Sequence, residues 1–551
     1  MKFSDKGGNA LPDSYSQQYR IAMESKDSLT VKTIVSLVAA FIVFIVSVTP
    51  LPNIAQAIIS IVCIGVVYGV CFHELTDGIV SIFNKMPSND SLCTVALILS
   101  LAQSIWLFFS QTENPNLISW IVFISIGISM LMKLIYIIQI IKNIELIKEN
   151  NTFSVEAANA DLKKRFISKV FMVNPVVTFP DVVASSYEED PAERNNYIFV
   201  PVYTAAVIVV SVFAFIFRGA DSFFLMLACL GACGAAFTSE AAFVLPYIIA
   251  QHKLRKLGSI LLGAESVERL KDIDTLVVED TDLFTDEYAG IVNIRFFKKS
   301  YVSKSLEYAA VLLDEIKSPI APSVFEILEC ERDSLPHVSF VKNIQNHGVS
   351  AKVNGEDVLL GNRNLLLSHN ISPLSQEQEA TYMTMNRNLF YLAVQGDLVA
   401  VILVQYSANP VLKQVAERIG QNFNLIVETR DCNINEYTVQ TRYGLKKAHI
   451  LVPEGEERKL LKKTREELLL KKSNPVMITT KNAIGILTSV ERAKKLSSIL
   501  DATIFLKTFS IILGAVLTAV AIFAVYPSTP GMWIFIFNLI WTAPIIYLSL
   551  Q

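Results

Sequence analysis

Residues 270–285 read LKDIDTLVVEDTDLFT. The apolar, β-branched run that ends at Val278 predicts a buried parallel strand. The acidic, threonine-bearing turn after it would place carboxylates at the carboxyl edge of a doubly wound α/β sheet, where such sheets bind their ligands. The stretch therefore predicts an α/β domain with a candidate active site at residues 279–285.

The composition indicates a polytopic membrane protein that carries a soluble part. Of 551 residues, 52% are hydrophobic and 18% are charged, and the mean hydropathy is +0.43. The net charge of -3 gives no sign of nucleic-acid binding. The seven cysteines form no C-x-x-C motif, which argues against a disulfide framework or a thiolate metal-binding tail.

Eight apolar runs are long enough to cross a bilayer. They lie at about 31–50, 54–73, 92–112, 117–141, 197–217, 221–250, 503–526 and 531–550. Loops on the side of the N-terminus are rich in Lys and Arg, whereas those on the opposite side hold one basic residue, Arg218. We therefore predict a multi-pass protein of a bacterial-type cytoplasmic membrane, with both termini and the large soluble part in the cytoplasm.

Residues 258–270 read GSILLGAESVERL and lead without a gap into the predicted strand. The two stretches together resemble the heavy-metal-transporting branch of the P-type ATPases, members of the haloacid dehalogenase (HAD) superfamily, which carry VDTVVFDKTGTLT there. In this alignment Glu279 stands at the phosphorylated Asp, Asp280 at the Lys and Asp282 at the Gly. Thr281 and Thr285 are kept. The resemblance covers most of residues 54–550 and implies an α-helical membrane part, a cytoplasmic HAD-like phosphorylation-type domain and an inserted α+β nucleotide-binding-type lobe.

The resemblance also implies a domain organisation. It comprises a cytoplasmic tail (1–30), four membrane helices (31–142), a short cytoplasmic segment (143–196), two membrane helices (197–250), the phosphorylation-type domain (251–299 and 396–502), the nucleotide-binding-type lobe (300–395) and two final membrane helices (503–551). The segment 143–196 has no T-G-E motif and is too short for the β-rich actuator domain of the family. We expect it to hold a strand at Val170–Val173 paired with residues 176–179, and a polar linker at 185–196.

Several catalytic positions of the family are altered. A Glu at position 279 places its carboxylate one carbon further out, and a displacement of about 1 Å can cost on the order of a hundredfold in rate. Asp280 sets a like charge against an incoming phosphate. The family's T-G-D turn keeps Thr429 and Asp431 but has Arg430 between them. No acid follows the strand predicted at 475–480, so the carboxylates that hold Mg²⁺ are missing.

The nucleotide-binding-type lobe keeps part of its motifs. Ser318 replaces the nucleotide-contacting His and Pro319 is retained. Gly348, Gly361 and Asn362 match the family's glycine-rich G-N-R stretch. The resemblance thus implies ATP and Mg²⁺ as cofactors, with weakened or lost binding.

Candidate cation ligands lie in the sixth apolar run. Cys229 and Cys233 stand four residues apart near the family's C-P-C motif, but without the Pro. Small residues at this spacing predict close helix packing, with soft-metal binding as the alternative. Glu240 is an ionisable residue inside a span, which favours a functional role such as divalent-cation binding. The alternative is a carboxylate paired with Lys133 or Lys507, or one kept protonated by burial.

Three functions follow from these patterns. The leading hypothesis is a pseudo-ATPase, a scaffold, sensor or regulator that binds a protein partner, a cation or a nucleotide without turnover. The second is an atypical cation-transporting P-type ATPase that uses Glu240. The third is a HAD-type phosphatase with Asp280 as nucleophile and Asp282 as general acid, which the missing Mg²⁺ ligands disfavour.

Overall fold

The computed structural model describes residues 15–110, 116–149, 153–162, 166–174, 191–271, 273–329, 334–383, 387–419, 424–446, 449–471, 475–480, 483–524 and 529–551. The membrane part contains ten helices in this portion of the chain. They are α1 (Tyr15–Val48), α2 (Asn53–Val70), α3 (Phe72–Phe83), α4 (Asn89–Trp106), α5 (Ser119–Glu149), α6 (Pro191–Arg218), α7 (Ala220–Gly234), α8 (Thr238–Arg255), α18 (Ala483–Ala524) and α19 (Pro530–Leu550).

Seven segments of the described chain have the length and hydropathy of a membrane span, with α7 and α8 counted as one. Together with α4 they correspond to the eight predicted runs. Helix α4 falls outside the seven because polar residues line it. One of them, Ser104, bonds the Ser60 hydroxyl at 2.8 Å, and Ser60 in turn bonds Ser119 at 2.8 Å. The predicted fold class is confirmed, with eight as an approximate number of spans.

The sixth span is broken without a proline, between α7 and α8. A Cβ atom at Gly234, the last residue of α7, would lie 2.6 Å from a ring carbon of Tyr203. The hydroxyl of Tyr203 donates to the carbonyl of Leu230 at 2.6 Å. Glycine is therefore required where the Tyr203 ring lies against the end of the helix.

The soluble part contains a core domain built on a seven-stranded sheet. Its strands are β1 (Phe153–Leu162), β2 (Phe166–Asn174), β3 (Ser259–Leu261), β4 (Thr275–Glu279), β11 (Asn424–Glu428), β12 (Ile450–Leu451) and β13 (Met477–Thr479), in the order β12-β11-β4-β2-β1-β13-β3. The pairs β12–β11, β11–β4 and β4–β2 are parallel. The pairs β2–β1, β1–β13 and β13–β3 are antiparallel. Helices α9 (Gly263–Lys271), α10 (Asp280–Leu283), α15 (Pro410–Ile419), α16 (Glu436–Tyr443) and α17 (Gly455–Lys471) accompany it.

The β1–β2 hairpin is part of the core sheet. It comes from the segment predicted to form a separate cytoplasmic element, and it lies between β4 and β13. Val170 pairs with Thr275, and Phe153 pairs with Thr479. The predicted strand Val170–Val173 is contained in β2, but its neighbours are β1 and β4. The predicted partner strand at 176–179 lies outside the described residues, and residues 191–196 of the predicted linker begin α6 instead.

Three neighbouring strands of the sheet connect directly to membrane helices. Residues 150–152 separate α5 from β1, residues 256–258 separate α8 from β3, and residues 480–482 separate β13 from α18. Because β1, β13 and β3 lie side by side, the sheet is attached to three spans along one of its edges.

The outer lobe contains a six-stranded antiparallel sheet. Its order is β5-β10-β9-β8-β7-β6, with β5 (Ala289–Phe296), β6 (Val338–Ile344), β7 (Gly348–Val353), β8 (Glu356–Gly361), β9 (Arg387–Val394) and β10 (Asp397–Tyr406). Helices α11 (Val302–Glu315), α12 (Ala321–Leu328), α13 (Arg363–Ser368) and α14 (Gln376–Tyr382) accompany it. Because β5 pairs with β10, the lobe extends from Ala289 to Tyr406 and is wider than the predicted 300–395.

Candidate active site and membrane site

The edge of the core sheet presents two consecutive carboxylates in different environments. Leu276, Val277 and Val278 of β4 are buried, and Glu279 at its end is exposed. The next residue, Asp280, is only 5% exposed. The buried carboxyl at this edge is therefore Asp280, one residue after the position aligned with the phosphorylated Asp.

Asp282 stabilises the short helix α10 that follows the strand. Its carboxylate accepts the backbone N–H of Glu279 at 3.0 Å, as in a capping box. Asp282 is 9% exposed. This geometry favours a capping role for Asp282 over that of a general acid, and so weakens the phosphatase hypothesis.

Thr429 connects Asp280 to the neighbouring loop. Its hydroxyl donates to Asp280 Oδ2, while the Thr281 N–H donates to Asp280 Oδ1 at 2.8 Å. The Thr429 Oγ1 accepts the N–H of Asp431 at 2.9 Å. The structure thus brings together four of the predicted catalytic residues, namely Asp280, Thr281, Thr429 and Asp431, in one hydrogen-bonded group.

Asp431 joins this group to the outer lobe. Its Oδ2 accepts the hydroxyls of Ser318 and Tyr406, both at 2.6 Å, and its Oδ1 accepts the N–H of Asn433 at 2.9 Å. Asp431 is 2% exposed and Ser318 is 3% exposed. Ser318, predicted to face a nucleotide, is instead buried against Asp431.

Burial changes the acidity of these carboxyls. Loss of water raises the pKa of Asp280 to about 8, with a further increase from the charge of Asp431, although the Thr429 hydrogen bond lowers it. Burial also raises the pKa of Asp431, against the hydrogen bonds from Ser318 and Tyr406. At neutral pH Asp280 is therefore largely protonated.

Arg458 lies beside the group, and sequence reasoning missed it. Its guanidinium donates to the carbonyl of Thr429. Burial and the nearby Arg430 lower the pKa of Arg458. Arg458 lies in the first turn of α17, two residues after Glu456. Glu456 itself is exposed and pairs with Lys459 at 2.8 Å.

The predicted nucleotide-binding residues have structural roles in the outer lobe. A Cβ atom at Gly348, where φ is +135°, would lie 2.2 Å from the carbonyl oxygen of Leu360, and one at Gly361 would lie 2.1 Å from that of His347. Asn362 is the N-cap of α13. Pro319 is buried next to Ser318. Close strand approach and helix capping therefore account for Gly348, Gly361 and Asn362.

Direct hydrogen bonds join the outer lobe to the core domain. The Asn346 side chain donates to the Glu454 carboxylate at 2.6 Å, and the N–H of Gly455 donates to Gln345 Oε1 at 3.1 Å. Asn388 donates to the carbonyl of Asn433 at 3.4 Å. Together with the Ser318–Asp431 bond, these contacts hold the two lobes against each other.

The membrane residues predicted as cation ligands are separated. Cys229 is fully buried in α7, and the Cys233 thiol lies 3.4 Å from the Thr518 hydroxyl. Glu240 lies beyond the helix break, in the first turn of α8. Within the described chain, no group of three or more His, Cys, Asp and Glu side chains is placed to hold a metal ion.

The hydrogen bond described for Glu240 is with a serine of α5, not with either of the lysines considered. Its Oε1 accepts the Ser129 hydroxyl at 3.4 Å. Lys133 pairs with Asp90 instead, at 2.5 Å and 2.6 Å to the two carboxylate oxygens. Glu240 is only 7% exposed, so this carboxyl is buried between α8 and α5.

Further polar contacts extend this region across the membrane part. Lys507 donates to Asn89 at 2.7 Å and to Asn196 at 3.0 Å. Thr238, two residues before Glu240, bonds Ser510 at 3.3 Å. The contacts around Glu240 and Lys507 form a polar belt that links α4, α5, α6, α8 and α18.

We expect Lys133→Met to lower the free energy of unfolding by about 3 kcal/mol, because it leaves unpaired the Asp90 carboxylate, which is only 16% exposed. Adding Asp90→Asn should recover at least half of the loss. The same double-mutant cycle on the surface pair Arg194–Glu268, which is 47% and 38% exposed, should give less than about 1 kcal/mol. Denaturant unfolding in micelles measures both, and equal coupling energies would contradict the buried pairing.

Comparisons with known proteins agree with this architecture. No protein-family model matches the chain. The chain is 22% identical over 203 residues to the silver exporting P-type ATPase of Salmonella typhimurium, and 24% identical over 209 residues to a copper-exporting P-type ATPase of Legionella pneumophila. Each match covers 36% of this chain but only 25% and 28% of the relatives. A solved zinc-transporting PIB-type ATPase aligns with 94% of this chain and 98% of its own, with a TM-score of 0.52 and 12% identity.

The chain is a heavy-metal P-type ATPase-like membrane protein. The predicted resemblance is confirmed by these relatives, and the predicted fold by the solved structure. The matched segment spans only about a quarter of each curated relative, whereas the likeness of fold extends over nearly the whole chain.

The residues of this P-type ATPase-like protein do not fit a resident Mg²⁺ ion. Two oxygens bound to one Mg²⁺ at about 2.1 Å lie no more than about 4 Å apart. Strand β13 is three positions from β4 in the sheet, or about 14 Å at ordinary strand spacing. A carboxylate after β13 could therefore not share an ion with Glu279 or Asp280. Among the described residues, no other group of three or more His, Cys, Asp and Glu side chains could hold a metal ion.

Proposed function

We propose that this protein is a non-hydrolysing relative of heavy-metal P-type ATPases that serves as a membrane scaffold, sensor or regulator. The observation that carries the proposal is the position of the β1–β2 hairpin between β4 and β13. It separates the strand that bears Glu279 and Asp280 from the strand that would supply Mg²⁺ ligands. Without a shared Mg²⁺ ion, the charge of a transferring phosphoryl group is not neutralised by a metal at this edge.

The two candidate nucleophiles support the proposal in different ways. Asp280 is buried, hydrogen-bonded to Thr429 and largely protonated at neutral pH, which makes it a poor nucleophile. Glu279 is exposed, but Asp280 stands where the family has its Lys. ATP and Mg²⁺ are therefore not expected to support turnover.

The closed contact between the lobes supports the same conclusion. Asn346 forms a hydrogen bond with Glu454, and Gln345 forms one with Gly455. The Ser318 hydroxyl donates to Asp431. A nucleotide between the lobes would have to replace these bonds. We expect weak ATP binding or none, and a partner that recognises the closed form.

We expect the full-length protein to form no acyl-phosphate. Incubation with γ-labelled ATP and Zn²⁺, Cu⁺ or Ag⁺ should leave no hydroxylamine-sensitive label, and Glu279→Ala and Asp280→Asn should match the wild type. A heavy-metal P-type pump labelled in parallel is the positive control. Metal-dependent label that disappears in Glu279→Ala would overturn the proposal.

The orientation forms part of the proposal. We infer that both termini and the soluble part face the cytoplasm of a bacterial-type cytoplasmic membrane, because Lys and Arg concentrate on the side of the soluble part. A cysteine introduced in the loop after α6, near Arg218, should then react with a thiol reagent added outside intact cells.

A second candidate function is cation passage through the polar belt. The observation that favours it is Glu240, a buried carboxyl at a helix break that bonds Ser129 rather than either lysine. We expect that, if cations pass, Glu240→Gln abolishes metal accumulation that tracks expression of the protein. Thr518→Val, which removes only the Cys233 contact, is the matched control. Metal content that does not change with expression excludes this function.

A further inference from the structure

We propose that the membrane part holds a single hydrocarbon chain of a bilayer lipid in a cavity between α1, α5 and α19. The cavity has a volume of about 480 Å³. Its wall is formed by apolar side chains, among them Ala40, Phe44, Trp120, Ile124, Met532 and Phe535. The site is independent of the proposed function of the soluble part.

The position of the cavity follows from the ends of the three helices. Phe44 lies one turn before the end of α1, Trp120 is the second residue of α5, and Met532 is the third residue of α19. Helix α18 leaves the core sheet and ends before α19 begins. The cavity therefore lies at the membrane face that is opposite the soluble part.

The interior of the cavity is built around the buried Trp120 and the partly buried rings of Phe44 and Phe535. Trp120 is 5% exposed and Ala40 is 2% exposed. The Trp120 ring contacts Phe44 edge-on at 5.1 Å between centroids, and Phe535 at 5.7 Å. Ala40 leaves space between these larger side chains, which a core packed to normal density would fill.

The rim opens on the surface that faces lipid. Phe41 is 64% exposed and Leu37 is 40% exposed on α1, and Met532 is 38% exposed on α19. Both helices continue with exposed apolar side chains, such as Ile45 and Ile536. An acyl chain can therefore enter sideways from the bilayer without crossing a polar layer.

The chemistry of the wall selects a hydrocarbon over other ligands. The lining contributes no charged side chain, so a headgroup or a charged solute would lose its hydration without gaining a partner. A hydrocarbon chain gains contacts with the rings and the aliphatic side chains. The wall of the cavity also packs against the helix break, because the centroids of the Phe535 and Phe237 rings lie 5.8 Å apart.

Tryptophan quenching by brominated lipid tests the proposal. The full chain is reconstituted in phosphatidylcholine whose acyl chains carry bromine in the half nearest the headgroup. The emission of Trp120 is obtained as the difference between wild type and Trp120→Phe. Although Trp120 is buried from the surface, we expect it to lose about half of its emission, because bromine in the cavity would lie in contact with the ring.

A variant that fills the cavity distinguishes a bound chain from bulk lipid. Ala40→Phe should restore most of the lost emission, whereas Val212→Phe, at a lipid-facing site on α6 that does not line the cavity, should leave the quenching unchanged. Equal Trp120 emission in brominated and plain lipid would overturn the proposal. So would quenching that persists in a folded Ala40→Phe protein.

A second measurement uses the unmodified chain and so does not depend on the folding of a variant. A phosphatidylcholine with a diazirine on one acyl chain is photolysed with the wild-type protein in the membrane. Adducts should map to residues 37–44, 120–124 and 532–535 above the level on α6. Adducts spread evenly over all lipid-facing helices would contradict a defined site.

Discussion

Asparagine in place of Asp280 is expected to stabilise the soluble part, by an amount that increases as the pH rises towards 8. Between the ordinary value of 3.8 and the folded-state pKa of about 8, folded Asp280 holds a proton that the unfolded chain has released. The folded state therefore loses stability as the pH rises, at up to about 1.4 kcal/mol per pH unit, and the loss levels off above pH 8. An asparagine side chain does not titrate in this range, so the contribution of position 280 to the pH dependence of stability should disappear.

The hydrogen bonds around position 280 can accept this change. An asparagine oxygen can accept the N–H of Thr281, while its amide donates to Thr429 Oγ1, as a protonated carboxyl does. The Thr429 hydroxyl can then donate to the carbonyl of Asp431, which lies 3.4 Å away. The substitution therefore mimics the protonated form.

Melting temperatures of the full-length protein between pH 5 and pH 9 provide the measurement. Glu279→Gln is the matched control, because it removes the adjacent but exposed carboxylate and should leave the pH dependence as in the wild type. An Asp280→Asn protein that melts below the wild type at pH 8, or that keeps its slope, would show that this carboxyl is charged in the folded state.

A fragment of residues 258–502 is expected not to fold, whereas a fragment that also contains residues 153–174 should. Without the β1–β2 hairpin the sheet separates into β12-β11-β4 and β13-β3, because no other strand among the described residues joins these pieces. The hydrogen-bonding edges of β4 and β13 would then be open, which favours aggregation. The expected difference is between a cooperative thermal transition and none.

The hairpin fragment is made by joining residues 153–174 to 258–502 through a Gly/Ser linker, and folding is followed by circular dichroism. A control with Val170→Pro and Phe171→Pro removes two backbone donors at the positions that pair with Thr275 and Leu276. It should behave like the fragment without the hairpin. A folded 258–502 fragment would show that the core sheet does not need β2.

The spans and the central strand could be predicted because local apolar patterns determine them. The predicted strand at Val170–Val173 was likewise recognisable from its β-branched residues. Its place beside β4 was not, because strand pairing over about a hundred residues leaves no local signal. For this reason the sequence did not predict that the short cytoplasmic segment 143–196 contributes two strands to the core sheet.

The site shows the same division between local and long-range information. Leu276, Val277 and Val278 are all buried, so the strand has no alternation that would indicate whether Glu279 or Asp280 faces inward. The bonds from Tyr406 and Arg458 also join residues far apart in sequence. The close contact between Gly234, at the end of α7, and Tyr203 of the preceding span likewise joins residues far apart in sequence.

Helix α18 has a mechanical consequence for the whole molecule. It runs for 42 residues from the fourth residue after β13 to the far membrane face, which corresponds to about 63 Å at 1.5 Å per residue. A rigid rod of that length moves by about 1 Å at its tip for each degree of tilt at its base. A partner that rocks the core sheet by a few degrees would thus shift the far end of this rod by the width of a side chain. Binding to the soluble part would then change the opposite face of the membrane without any transport.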